Sequence, residues 1–462
     1  MKLLTKSNAP DAKLGIVERT AYMTGNIGTA LVNTIVASFV VFYYTDIMML
    51  NPAVIGTILL VSRIFDGVTD LLMGFVVDHT RSRFGKGRAW VLRMCIPYAI
   101  SAVLMMSVPV SASETFKYIY VFLTYNLCNT VCLTAVYVPY NSMTCTLTND
   151  PYERGILGVF VMFGAVLGTM AVQSTIDAAV KALGNGPDAW QKVTIVYALI
   201  GACLHLICFF LTRERTLGDS AGAAQEKHSV KKEIGAVLGN KYWLMAIAAV
   251  FATLFFTGMV GGSGMYFAKA VLGDTAHYAS FANAMALAQV AAMLLAFVPM
   301  KKNGKRNTLV LGLSILTISC AVQYLFGSSL KATIVASIGK GIGGGFAGAV
   351  AYGLLADTID YGEWKFGISA SGIGMSAMTF VTKIAGGLSG FLIGHVINAG
   401  RYDAALSVQP ESAITAIKLC FAAIPGVCCV IALVIAVFYD LDKIYPQIQK
   451  ELAERRTGAS VQ

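Results

Sequence analysis

Apolar runs of about 20 residues recur along this chain from residue 21 to residue 439, with short polar turns between them. A backbone in lipid has no water to bond, so it crosses a bilayer only as helices or as a closed barrel. Barrel strands would alternate in polarity over about 10 residues, whereas these runs are continuous. With 56% hydrophobic and 13% charged residues over 462 positions, a soluble domain is excluded. The predicted fold is an all-α polytopic membrane protein of twelve transmembrane helices. The spans are 21–45, 53–77, 89–110, 117–147, 155–180, 193–212, 242–271, 276–299, 307–328, 332–357, 369–398 and 412–439.

The longest polar segment, 213–241, divides the chain into halves of similar length. Residues 1–212 form an N-terminal six-helix half and 213–241 a cytoplasmic linker. Residues 242–440 form a C-terminal six-helix half and 441–462 a cytoplasmic tail. The turns after span two and span eight match, each with a Gly-Lys pair among basic residues: Gly85-Lys86 and Gly304-Lys305. Two six-helix repeats are the pattern of a transporter. The net charge of +10 resides in alternate turns, in the head (Lys2, Lys6, Lys13, Arg19) and in the tail (Lys443, Lys450, Arg455, Arg456). The intervening turn 46–52 has no Lys or Arg, and 111–117 has only Lys117. The positive-inside rule then puts both termini in the cytoplasm of a multi-pass plasma (inner) membrane protein. The same distribution argues against a nucleic-acid partner. The five His (His79, His205, His228, His277, His395) form no metal or acyl-transfer constellation, and the ten Cys have no ligand spacing. Neither an enzyme nor a resident cofactor is expected, and no feature calls for a subunit partner, so a monomer is expected.

Span two carries Arg63, Asp66 and Asp70 along one helical face, inside an apolar run. Ionisable groups at membrane depth mark ion or substrate pathways. Two carboxylates with nearby hydroxyls suit a proton or a sodium ion. The alternative is a structural network in which Arg63 neutralises Asp66. Lys383, deep in span eleven, either bonds a polar substrate or serves as a counter-ion to the acids. Span four has a polar face (Asn126, Asn129, Thr130, Thr134) and the segment Tyr137-Val-Pro139-Tyr140-Asn141, where proline breaks the helix. Span one adds Asn26 and Asn33. Amides, hydroxyls and aromatic rings without a dense charge cluster suit a polyhydroxylated ligand, with Arg63 and Lys383 also counted as substrate-binding candidates; interhelical bonding is the alternative use of the polar groups. Asp357, Asp360 and Glu363 close span ten on the basic side. There they can pair with Arg81, Arg83 and Lys86 of the other half's turn as an inner gate, or form a solvated loop.

Five blocks together resemble the glycoside–pentoside–hexuronide:cation symporters of the major facilitator superfamily. They are FYYTD at 42–46, RIFDGVTDLLMGFVVDHTRSRFGKGR at 63–88, VPYNSM at 138–143, DTIDYGEWK at 357–365, and Lys383 eighteen residues further on. The resemblance runs from about Thr20 to Tyr439. It implies a secondary active importer of a glycoside, pentoside or hexuronide, working by cation symport with alternating access. It assigns the coupling cation to Asp66 and Asp70, with Thr134 as a helix-four hydroxyl of that site, and Lys383 to a place between cation and sugar. Ala30, Tyr137, Asn141 and Met162 depart from the melibiose permease branch, which has an aspartate, an aspartate, a tryptophan and an arginine at these positions. The cation site is therefore expected to be kept and the sugar site rebuilt. A transporter of the same fold for another solute, such as a lysolipid, and a non-transporting membrane sensor are the rival readings.

Overall fold

The computed structural model describes residues 13–215, 230–367, 371–406 and 408–459. Lys2, Lys6 and residues 216–229 of the linker lie outside the described residues, as do the side chains of Arg455 and Arg456. Every regular element among the described residues is a helix. The membrane-length helices are α1 (Ile16–Ile47), α2 (Pro52–Asp78), α3 (Gly87–Met105), α4 (Glu114–Leu147), α5 (Pro151–Ala182) and α6 (Pro187–Leu211). They continue with α7 (Lys241–Ala270), α8 (His277–Leu295), α9 (Phe297–Phe326), α10 (Leu330–Phe366), α11 (Ser371–Ala399) and α12 (Glu411–Val437). Shorter helices occupy Val230–Leu238 and Leu441–Ala459. Among the described residues, eleven helices are long and apolar enough to cross a membrane. The twelfth is α2, the helix of Arg63, Asp66 and Asp70; its 27 residues reach about 40 Å, ample for a bilayer core of about 30 Å.

The helix starts follow from local chemistry. Asn51 caps α2 by accepting from Ala53 N (2.9 Å), with Pro52 in the first turn. Asp150 and Pro151 do the same for α5, and Asn240 caps α7 through Trp243 N (3.1 Å). Each basic turn is closed by a remote acid. Gly85 takes a positive φ of 97°, and Glu214 accepts from Lys86 N (2.9 Å) and Arg88 N (2.7 Å) at the start of α3. Gly304 takes φ 81°, which breaks the run of α9 there, and Asp442 accepts from Arg306 N (2.8 Å). A carboxylate at such a site satisfies backbone donors that have no partner within the helix.

The chain divides into two compact units. The first is Met1–Gly222 with Asp274–Ala279 and Gly390–Ala413. In it α1 packs on α5 and α6, and α3 packs on α4 and α6. Its added segments are held by Tyr402, which donates to Asp46 (2.6 Å), and by Lys181 paired with Asp274 (2.8 Å). Gly56 and Gly390 meet so closely that a Cβ on Gly56 would lie 3.0 Å from the Gly390 carbonyl.

The second unit is Ala223–Gly273, Ser280–Ser389 and Ile414–Gln462. In it α9 packs on α10 and α12, repeating the pairing of α3 with α4 and α6. The glycines of span ten have a packing role. Gly341 and Gly345 press on the backbone of α8, and Gly339 and Gly343 on α9.

The proline of span four does not break its helix, contrary to the sequence-based expectation. Pro139 lies inside a continuous helical segment, Thr134–Leu147, and the irregular winding sits upstream. Residues Asn126–Leu133 form a π-helix, whose extra residue per turn re-aims the side chains it carries.

Candidate functional site

That π-helical segment faces α2, and the two helices join through a ladder of three side-chain rungs. Asn126 Nδ2 donates to Ser62 Oγ (2.8 Å), Thr130 Oγ1 donates to Asp66 Oδ1, and Thr134 Oγ1 donates to Asp70 Oδ1 (2.9 Å). Each rung joins residues 64 apart in sequence, so α2 and α4 run parallel with one register. The spacing of four on both helices keeps the rungs on one face.

Asp66 is wholly buried, with 0% side-chain exposure, and Arg63 Nη1 donates to its Oδ2 at 2.9 Å while remaining 22% exposed. Asn129 Nδ2 approaches the same oxygen at 3.4 Å, and the Thr130 hydroxyl also lies 3.0 Å from Asn126 Oδ1. Asp70 is half-buried. The amide oxygen of Asn129 is buried and accepts no hydrogen bond among the described residues, while its nitrogen reaches Asp66. Buried polar atoms are almost always satisfied by protein, water or an ion, so this acceptor is available to a ligand. The cluster brings together two acids, two threonine hydroxyls, the Arg63 guanidinium and this amide oxygen. Such an oxygen-rich set is chemically suited to a proton or a hard monovalent cation.

The remaining candidates fall into several groups. Asn129, a substrate candidate from sequence, lies beside the acid ladder, its nitrogen 3.4 Å from Asp66. Asn26 is buried and donates to Val161 O (2.7 Å), which ties α1 to α5. Asn33, Tyr137, Asn141 and Met162 are exposed. Ala30 is buried against α5, where Gly168 makes room for it. Lys383 is half-buried on α11 of the second unit. Arg81 and Arg83 are exposed, Arg83 resting 4.7 Å over the Phe84 ring. Asp357 is buried and bonded by Lys305 at 2.8 and 2.6 Å, a lysine of its own half rather than of the turn holding Arg81, Arg83 and Lys86. Asp360 accepts from Tyr445 of the Leu441–Ala459 helix (2.7 Å), and Glu363 lies about one turn further along α10.

Sequence reasoning placed Thr130 on the polar face of span four but missed two polar participants, Ser62 and Lys340. Ser62 completes the ladder, and its signal was the shared spacing of four on spans two and four. Lys340 is 1% exposed; its Nζ donates to Phe421 O (3.1 Å) and sits 4.0 Å over that ring. A lysine between glycines in an apolar run was the available clue.

Removing one partner of a buried ion pair leaves the other charge uncompensated. Arg63→Ala is expected to destabilise the protein by about 3 kcal/mol, the low end for such losses because Thr130 and Asn129 still reach Asp66. Adding Asp66→Asn should recover most of that loss. Thermal unfolding of the single and double variants in detergent checks this; equal melting of Arg63→Ala and wild type would show the pair to be energetically idle.

Comparison with known proteins agrees with this architecture. The isoprimeverose transporter of Lactiplantibacillus pentosus is 31% identical over 451 residues, covering 95% of this chain and 91% of its own. The glucuronide carrier protein homolog of Escherichia coli (strain K12) is 29% identical over 452 residues, covering 94% and 95%. Among solved structures, the nucleoside transporter NupG superposes with a TM-score of 0.62 at 14% identity, covering 91% of this chain and 99% of that one. The inward-open xylose transporter XylE from E. coli gives 0.62 at 12% identity, covering 92% and 95%. At these identities the structures speak for the fold alone. The family model for MFS/sugar transport proteins matches residues 21–443, nearly the whole chain, and the protein belongs to that family.

Proposed function

We propose that this protein imports a glycoside, pentoside or hexuronide by symport with a proton or sodium ion, and that the α2–α4 ladder is where the ion binds. The observation that carries the ion site is the buried, unsatisfied Asn129 oxygen beside Asp66. Sugar symport is supported by relatives named for glycoside, glucuronide and isoprimeverose transport. Both termini face the cytoplasm of the cell membrane on this reading, as the basic turns require.

The ion acts through linkage. It binds more tightly to the state that binds sugar, so each ligand raises the affinity of the other by the same factor. Asp66 is held by Arg63 and Thr130, which makes it the fixed part of the site. Asp70, half-buried and opposite Thr134, is the carboxylate that changes partner or protonation during the cycle. Lys383 links ion and sugar from α11. Arg81, Arg83, Lys86, Asp357, Asp360 and Glu363 control access on the basic side.

Asp70→Asn is expected to abolish accumulation against a gradient while substrate exchange across the membrane survives. Uptake in energised cells or vesicles and counterflow in de-energised ones measure the two separately. Unimpaired accumulation by this variant would place the ion elsewhere.

Relative to the melibiose permease pattern, the sugar site has lost two acids, at Ala30 and Tyr137. A charge-assisted hydrogen bond is worth about 1.5–3 kcal/mol and a neutral one about 0.5–1.5 kcal/mol, so the substitutes replace only part of the attraction for a neutral sugar. Losing acids also removes repulsion toward an anion. A uronide or another glycoside is therefore expected to compete for uptake better than melibiose. Equal competition by melibiose would show these four positions to be silent in substrate choice.

A further inference from the structure

Where α6 ends and the chain leaves for the linker, the first unit contains a cavity of about 320 Å³. Three guanidiniums, Arg88, Arg213 and Arg215, and one carboxylate, Glu18, line it. Two of the arginines are fixed in place. Arg215 grips Glu18 with both arms (2.8 and 2.9 Å). Arg88 donates to Phe209 O (2.6 Å) and Phe84 O (3.3 Å) and stacks 4.7 Å over the Phe209 ring. A guanidinium has five N–H donors, so Arg88 keeps donors to offer. The Arg213 side chain makes no hydrogen bond or ion pair among the described residues, although its backbone N–H is anchored on Glu18 Oε1 (3.1 Å). Nearby Glu214 is committed to the amides of Lys86 and Arg88, and even counting it the surroundings hold one more cation than anion.

The other side of the cavity is apolar and open. Phe210 is 70% exposed and Leu211 46% exposed, at the end of a membrane-length helix. An anion alone would use only the arginines; an amphiphile with a phosphate and an acyl chain would use both surfaces. We propose that this cavity binds the phosphate of an anionic phospholipid headgroup, with the acyl chains running along Phe210 and Leu211. The cytoplasmic leaflet is the anionic one, so the choice of leaflet rests on the orientation proposed above, whereas the chemistry of the site does not.

The test uses the purified full chain in detergent, without sugar and at fixed pH and sodium concentration, so its outcome is independent of transport. Thermal unfolding is followed during titration with short-chain phosphatidylglycerol, short-chain phosphatidylcholine and inorganic phosphate. Arg213→Gln is the variant, chosen because that side chain supports nothing else in the structure. Phosphatidylglycerol is expected to raise the melting temperature saturably, phosphatidylcholine and phosphate much less. Arg213→Gln should weaken the phosphatidylglycerol response about tenfold in concentration, as expected for losing one charge-assisted hydrogen bond. An equal response in variant and wild type, or from phosphatidylcholine, would overturn the site. A full response to inorganic phosphate would overturn the lipid assignment in favour of a free anion.

Discussion

Asp66 has no solvent exposure and sits halfway along a helix that must cross lipid, and the ladder between α2 and α4 exists to make that tolerable. An isolated carboxylate there would neutralise or unfold its surroundings. Arg63 supplies the compensating charge from one turn earlier on the same helix. Thr130 and Asn129 reach it from α4, and the π-helical winding of Asn126–Leu133 helps place them there. Asp70 repeats the arrangement one turn on with the Thr134 hydroxyl, and among the described residues no donor reaches the Asn129 oxygen. On the proposed function, this cluster of oxygens is where the coupling ion binds.

The two basic turns show a second constraint solved twice. A sharp reversal between membrane helices leaves backbone amides unpaired at the next helix start. Each half answers with a glycine at positive φ and an acid from the end of its sixth helix or just beyond: Glu214 on the 85–88 turn and Asp442 on the 304–306 turn. The arginines of both turns then donate to the last carbonyls of the same helices, Arg88 to Phe209 and Arg306 to Ala436 and Val437. Such a bond ties the end of one helix to the start of another and favours a positive charge at a helix C-terminus. In the first unit the same arginines border an apolar opening, which is why a lipid phosphate is the ligand we infer there.

The helices were legible because the requirement that lipid imposes on a backbone leaves a coarse signal, and α2 was recognisable through its length and flanking turns despite its charges. That Asp66 and Asp70 share a face was also legible, since a spacing of four reveals it, whereas Thr134 was joined to them only through the family resemblance. What could not be read was winding. A π-helical turn has no composition of its own, so Pro139 looked like the break and the true irregularity at Asn126–Leu133 did not. Partner choice was equally hidden. Asn26, a candidate ligand for a polar substrate, bonds a backbone carbonyl of α5, and Asp357 bonds Lys305 within its own half. Each pairing depends on distances set by the tertiary fold, which spacing along one helix does not encode.

The account stands on the ladder as the ion site, and coupled ion flux tests that most directly. Protein in de-energised proteoliposomes would be given a transported glycoside while sodium and pH are recorded outside. Wild type is expected to draw in one of the two cations with the sugar. Asp66→Asn/Asp70→Asn, if it still exchanges sugar, is expected to move sugar with no cation flux. Sugar-driven cation uptake by that variant at the wild-type level would contradict the account.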